Sequence, residues 1–241
     1  MGKVWITGGG SGIGKALALT FVNDGWDVII SGRNKRRLKS VSDLSSNIQA
    51  EACDITNQNE VKSILPKIGS IDIAILNAGD YWPGATNACS LKEHRKIFEV
   101  NYFGTLNCIR YLLPEMKKYG GKIAVVGSLA GYIGLPNASA YGPSKAAIIS
   151  LCESLRAELN NSMVTIQLIN PGFVKTSLTD KNNFKMPNLI NPEQAAIEIR
   201  RGLEKDDFEI AFPPPFVRRM KLLQMIPYQL YYYLISKMTK Y

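Results

Sequence analysis

Seven short apolar runs recur along the chain, and between them lie stretches long enough for a helix. KVWIT (3–7), DVIIS (27–31), IQAEAC (48–53), IDIAIL (71–76), KIAVVG (122–127), VTIQLIN (164–170) and FEIAF (208–212) are rich in β-branched or aromatic residues. Each is bounded by polar or glycine punctuation. Helix-length segments fall at 12–24, 34–42, 57–67, 90–118, 139–160 and 192–204. Runs that are apolar almost throughout need cover on both faces, and strands separated by helices pair in parallel. The pattern predicts an α/β fold, a doubly wound parallel sheet of seven strands with helices on both sides. No internal repeat or low-complexity linker precedes residue 213. Residues 1–212 therefore read as one domain, and 213–241 as a tail of different composition.

Composition narrows the function classes. An apolar content of 46% with 20% charged residues is that of an ordinary globular chain. The net charge of +9 is uneven, because no acidic residue follows Glu209 while Arg218, Arg219, Lys221, Lys237 and Lys240 do. The body is close to balanced and carries no recognisable nucleic-acid module, so no nucleic-acid partner is expected. Cys53, Cys89, Cys108 and Cys152 show no CxxC spacing, which suits reduced thiols in a cytoplasmic compartment. The amino terminus lacks the apolar core of a secretory leader, and Ile6 breaks the myristoylation pattern. His94 is the only histidine and has no second ligand at metal spacing, so no metal site is expected.

The first strand runs into TGGGSGIG, residues 7–14. Glycine allows the tight turn and lets a pyrophosphate approach the backbone, while a helix amino terminus offers free N–H groups. A glycine-rich turn with no ligand is the alternative, and position at the end of the first strand counts against it. The second strand ends in VIISGRNKRRL, with no acid to bind a ribose 2′-hydroxyl. Arg33 there, followed by Asn34, offers a planar fork suited to a 2′-phosphate, which favours NADP(H) over NAD(H). Lys35, Arg36 and Arg37 read as the solvated start of the next helix.

These residues, with five further motifs, resemble the short-chain dehydrogenase/reductase family in its compact, single-domain form. The resemblance runs from about residue 3 to 212. It rests on Thr7, Gly8, Gly12, Ile13 and Gly14; on Asn77, Ala78 and Gly79; on Asn101 in the long fourth helix; and on Ser128 closing the fifth strand. Tyr141 and Lys145 form Tyr-x-x-x-Lys, and NPGFVKT supplies Pro171, Gly172, Val174 and Thr176. Ser11 and the chain length both argue against the family's extended branch. The resemblance implies a Rossmann-type fold and a dinucleotide site that also includes Ser11, Arg33, Asn34, Asp54 and Ile55. Asp54 follows the third strand, where the family places an aspartate near the adenine amino group; capping the next turn is the alternative role.

The resemblance also implies the chemistry: hydride transfer between NADP(H) and a small-molecule carbonyl or alcohol. Tyr141 would be the general acid, and Ser128 would hold the substrate oxygen beside it. Lys145, together with the positively charged oxidised nicotinamide, would lower the phenol's pKa; it would also bind the nicotinamide ribose, and Asn101 would position a relay water. Tyr141 and Lys145 stand four apart, hence on one helical face. Gly142 and Pro143 between them are tolerated if Ser139 caps the helix and Pro143 falls in its first turn. Residues 173–190 form a polar stretch without periodicity, expected to act as a lid over the substrate.

The tail departs from the common family pattern. Pro227 divides it into two expected helices, and Leu230, Tyr231, Leu234, Ile235 and Met238 form an amphipathic stripe. No run is long enough to span a bilayer. The stripe allows two readings: an anionic membrane surface met by Leu230, Leu234 and Met238, or packing on the body, over the substrate cleft or across a dimer; a homodimer is expected. The overall expectation is an NADP(H)-dependent oxidoreductase with an apolar or lipid-like substrate, cytoplasmic or peripheral on the inner face of a membrane. A non-catalytic dinucleotide-binding regulator and a membrane-associated interaction protein are the alternatives.

Overall fold

The computed structural model describes residues 2–84 and 90–239, with side chains to Lys237. Cys89, Lys240 and the side chain of Met238 lie outside the described residues. The strands are β1 (Lys3–Thr7), β2 (Asp27–Gly32), β3 (Ile48–Ala52), β4 (Ile73–Leu76), β5 (Gly121–Val126), β6 (Val164–Pro171) and β7 (Glu209–Phe212). They form one parallel sheet in the order β3-β2-β1-β4-β5-β6-β7. The helices are α1 (Gly12–Asn23), α2 (Lys35–Ser42), α3 (Gln58–Ile68), α4 (Leu91–Phe98), α5 (Gly104–Tyr119), α6 (Tyr141–Glu158), α7 (Pro192–Leu203), α8 (Pro214–Met225) and α9 (Tyr228–Thr239).

Alternate strand residues feed two cores, one on each face of the sheet. Ile6, Ile30 and Ile75 join Leu17 and Phe21 of α1 and Ile199 of α7 on one side. Trp5, Ile29 and Ile123 join Ile64 of α3, Ile109 of α5 and Ile148 of α6 on the other. Each fully buried isoleucine contributes about 1.5–3 kcal/mol by leaving water. Burial on both faces is why the strands read as nearly unbroken apolar runs.

The order in which strands are added to the sheet reverses between β1 and β4. From β1 the sheet grows one way through β2 and β3, and the other way through β4 to β7. Such a switch point leaves a crevice at the strands' carboxyl ends, and Gly8, Gly12, Asn77, Ser128, Tyr141, Lys145 and Pro171 line it.

Two local expectations are revised. The single helix expected over 90–118 is broken by a π-helical turn at Glu99–Phe103 between α4 and α5. The extra residue carries Asn101 inward, where its amide reaches Asp80 and Ser144, a tertiary demand that sequence periodicity does not record. The helix expected to be capped by Ser139 starts instead at Tyr141, with Ala140 at the cap position and no side-chain cap. Gly142 N–H donates to the Ala138 carbonyl at 2.7 Å, so the entering backbone supplies the bond. Pro143 is still in the first turn, where an N–H has no intrahelical partner to lose.

Candidate active site

The cleft at the switch point is about 430 Å³ and runs from the β1–α1 turn to Tyr141 and on to α8. Gly8 (φ +69°) and Gly12 (φ +53°) hold left-handed backbone in that turn. Gly14 does not face the cleft. A Cβ there would lie 2.3 Å from the Gly8 carbonyl oxygen and 2.8 Å from Asn77 Nδ2, so glycine is needed for close packing beneath the turn. Asn77 fixes the same turn from β4: its Nδ2 donates to the Thr7 carbonyl at 3.0 Å, while Thr7 Oγ1 accepts from Asn77 N at 2.9 Å and Ala78 N at 3.0 Å.

At the far side of the turn Arg33, Asp54 and Ile55 line the cleft, and so does Arg37, which had read as part of a solvated helix start. Asn34 is turned away and caps α2, its Oδ1 accepting from Arg37 N at 3.0 Å. Asp54 Oδ1 accepts from Thr56 N at 3.0 Å and Thr56 Oγ1 at 2.9 Å, so it both faces the cleft and ties the following turn. A glycine cradle at a helix amino terminus, with two guanidinium groups at its edge, fits a dinucleotide and its phosphates.

Ser128, Tyr141 and Lys145 converge on the cleft floor. Ser128 stands at the end of β5, where its Oγ accepts from Ala130 N at 3.1 Å. Lys145 is buried one turn beyond Tyr141 on α6; its Nζ donates to the Val126 carbonyl at 2.8 Å and lies 5.7 Å from the Tyr141 ring centre. Burial pushes the Tyr141 phenol up to about 12, a hydrogen bond with Ser128 pulls it down, and Tyr81 pushes it up again. Burial pushes the Lys145 ammonium down to about 8, with Cys152 acting the other way.

The expected lowering of the Tyr141 pKa belongs to the site with oxidised nicotinamide bound; in the protein alone burial raises it. Desolvation of the phenolate by burial outweighs the hydrogen bond with Ser128.

Asn101 does not line the cleft. Its Oδ1 accepts from Asp80 N at 2.8 Å, and its Nδ2 donates to the Asp80 carbonyl at 3.1 Å and to Ser144 Oγ at 3.0 Å. It thereby holds the segment after Gly79 against α6.

Beyond Tyr141 the cleft becomes apolar. Leu135 and Pro136 follow β5, Phe173 and Phe184 come from the 173–190 segment, and Phe216 and Met220 come from α8. Phe173 stacks on Phe216 (5.6 Å, 24°) and meets Phe184 edge-on (5.9 Å, 74°). The 173–190 segment is latched to the loop after β4: Lys181 Nζ donates to the Tyr81 carbonyl at 2.6 Å, and Tyr81 Oη donates to Asn182 Oδ1 at 2.7 Å.

Sequence reasoning missed Tyr81, Phe216 and Met220, which carry no motif. The remaining expected residues, Ser11, Ile13, Ala78, Gly79, Pro171, Gly172, Val174 and Thr176, all line the cleft.

The tail stripe is divided between the inner and outer faces of α9. Tyr231 is buried with its hydroxyl on the Gly134 carbonyl, and Leu234 and Ile235 are half-buried. Leu230 is exposed. The expectation that Leu230 and Leu234 together face a membrane is thus corrected: Leu234 belongs to the packed side, because Tyr231 anchors that face of α9.

A profile described as "short chain dehydrogenase" matches residues 3–187. The chain belongs to the short-chain dehydrogenase/reductase family. Membership makes it an oxidoreductase of the class that acts on CH–OH groups and binds a dinucleotide. A Myxococcus xanthus protein named "Uncharacterized oxidoreductase" is 31% identical over 237 residues, covering 94% of this chain and 93% of that one. A 3-oxoacyl-(acyl-carrier-protein) reductase of Rickettsia prowazekii is 34% identical over 190 residues, 77% of this chain and 78% of its own. A short chain dehydrogenase from Burkholderia cenocepacia, solved in complex with NADP, superposes with a TM-score of 0.88 at 27% identity, covering 97% of each chain.

Proposed function

We propose that this oxidoreductase uses NADP(H) to interconvert a carbonyl and a secondary alcohol on an apolar, lipid-like substrate, with Tyr141 transferring the proton. The observation that carries it is the floor of the cleft, where Ser128 and Tyr141 meet beside buried Lys145 at the mouth of an apolar chamber. When bound, the dinucleotide supplies or accepts the hydride. Ser128 Oγ would hold the carbonyl oxygen, and the phenol would give it a proton as the carbon becomes tetrahedral. A phenol held near 12 is fully protonated at neutral pH, which suits the reductive direction. Lys145 would stabilise the phenolate left behind and bind the ribose.

Arg33 and Arg37 on the cleft, with no acid ending β2, support NADP(H). So does the NADP held by the Burkholderia relative. The acyl-chain reductase named among the relatives and the Phe173–Phe216 chamber support an apolar substrate. Buried, free Cys53, Cys108 and Cys152 support a reducing compartment such as the cytoplasm.

Turnover of NADPH with ketones of graded chain length tests this directly, with rates expected to rise with apolar length. NADPH should bind at least about tenfold tighter than NADH, or about 1.4 kcal/mol, and Arg33→Asp should erase the difference. Tyr141→Phe should keep NADPH affinity and lose about 10²–10⁴-fold in turnover. Cofactor binding with no turnover of any carbonyl would favour a dinucleotide-binding regulator instead.

A further inference from the structure

Exposed large apolar side chains concentrate at one place on this protein. Leu222, Met225, Tyr228, Leu230, Tyr232 and Tyr233 are all exposed on α8 and α9, Met225 at 81% and Tyr228 at 72%. On α8, Arg218, Leu222 and Met225 follow one another at helical spacing, so they share the face opposite Phe216 and Met220. On α9, Tyr228 and Tyr232 stack at 6.2 Å, and Lys237 Nζ sits 4.4 Å over the Tyr233 ring.

The charge around this patch has one sign. No carboxylate side chain follows Glu209 in the sequence. Lys221 is the tail's paired cation, held by Glu209 at 2.6 Å. Among the described residues Arg218, Arg219 and Lys237 make no ion pair. No helix among them is long and apolar enough to cross a membrane.

We propose that the outer face of α8 and α9 docks the protein on an anionic phospholipid surface. Apolar and tyrosine side chains rimmed by unpaired arginines match the acyl boundary and headgroup layer of such a surface. Nucleic acid would satisfy the arginines but leave Leu222 and Met225 in water. A second copy would bring the same positive surface against itself, with no local carboxylate to neutralise it. Docking in this way sets α8 between lipid and cleft, since the helix that meets the bilayer with Leu222 and Met225 walls the chamber with Phe216 and Met220. Docking itself does not rest on the reaction proposed above, whereas substrate entry from the lipid side does.

Co-sedimentation of the full chain with vesicles tests the proposal without any substrate. Binding is expected to vesicles of phosphatidylcholine with about one-third phosphatidylglycerol, at least about tenfold weaker to phosphatidylcholine alone, and lost in high salt. Arg218→Glu with Arg219→Glu, and separately Leu222→Ser with Met225→Ser, should each lower binding at least about tenfold. Melting temperature and NADPH affinity should stay unchanged in both, because these side chains face away from the body. No binding of the unaltered chain at low salt overturns the proposal, as does unaltered binding by both variants. Light scattering that shows a dimer broken by Leu222→Ser with Met225→Ser, without vesicle binding, would assign the face to a second copy instead.

Discussion

The ring of Tyr81 stands edge-on to the ring of Tyr141, centres 5.0 Å apart and planes at 85°, while its hydroxyl donates to Asn182 in the lid at 2.7 Å. One side chain thus touches both the phenol proposed to transfer the proton and the 173–190 segment. Tyr81→Phe keeps the ring and the Lys181 bond to its carbonyl and removes the other bond of the latch, worth about 0.5–1.5 kcal/mol. KM for the ketone should rise about two- to tenfold with kcat held within about twofold. Tyr81→Ala also removes the edge-on contact, and kcat should then fall at least about tenfold as Tyr141 loses its support. Asn182→Ala should copy Tyr81→Phe, and combining those two should add little. Steady-state kinetics of the set checks this; strictly additive effects would show that no latch exists.

Lys145 gives a pH signature. Its burial holds the ammonium near 8 instead of 10.5. Below about pH 8 it is charged whether the chain is folded or not. Between about 8 and 10.5 only the unfolded chain holds the proton, so this group's contribution to stability rises with pH across that window. The proposed chemistry has the opposite need, since it uses the charged form. Reductive kcat/KM should therefore be flat below about pH 8 and decline above it. Carbon NMR of reductively methylated protein should show one lysine titrating near 8. A rate that climbs from pH 8 to 10 would contradict the assignment.

Gly14→Ala tests the cradle's packing. The new methyl would press on the Gly8 carbonyl at 2.3 Å and on Asn77 Nδ2 at 2.8 Å, neither of which can yield without moving β1 or β4. A loss of about 1–3 kcal/mol in thermal unfolding is expected, with a matching loss of NADPH affinity. Gly134→Ala is the control, because nothing lies within 4 Å of a Cβ there, and it should leave both unchanged.

The sheet was legible because strands covered on both faces leave an unbroken apolar record, as in VWI of β1 and AIL of β4. The cleft motifs were legible where a residue type is required by backbone geometry or chemistry, as at Gly12, Tyr141 and Lys145. Tyr81 was not, because its partners are 60 and 101 residues away and nothing local marks it. Arg37 reads as a solvated helix start in sequence, and only the docking of α2 turns it to the cleft. The π-turn at Asn101 answers Asp80 and Ser144, both remote in sequence. In the tail, periodicity set Leu230 on one face of α9 with Tyr231, Leu234 and Ile235, whereas Leu230 is exposed and the other three turn to the body. It did not identify what covers that face, and Tyr231 on the Gly134 carbonyl decided it.

Glu209 is where the tail is fastened to the body. Its carboxylate accepts from Tyr132 Oη, from Asn170 Nδ2 at 2.7 Å and from Lys221 Nζ at 2.6 Å, joining α8 to β7, β6 and the segment after β5. Burial alone would raise this carboxyl, but the bonds from Lys221, Tyr132 and Asn170 outweigh it and hold the group below its ordinary 4.5. A depressed carboxyl contributes stability that is present above about pH 4.5 and disappears as pH falls through its lowered folded value. Glu209→Gln removes the charge and one acceptor, leaving Tyr132 or Lys221 without a full partner. The expected cost is about 1.5–3 kcal/mol, which corresponds to a fall of about 3–12 °C in melting temperature for a chain of this size. The variant should lose acid sensitivity in the same window, and hydrogen exchange should quicken in α8 ahead of the central strands. Phe216 and Met220 would be loosened with α8, so KM for the longest ketones should rise most. Unchanged exchange in α8 would show that the apolar contacts of Phe216 and Met220 hold the tail without Glu209.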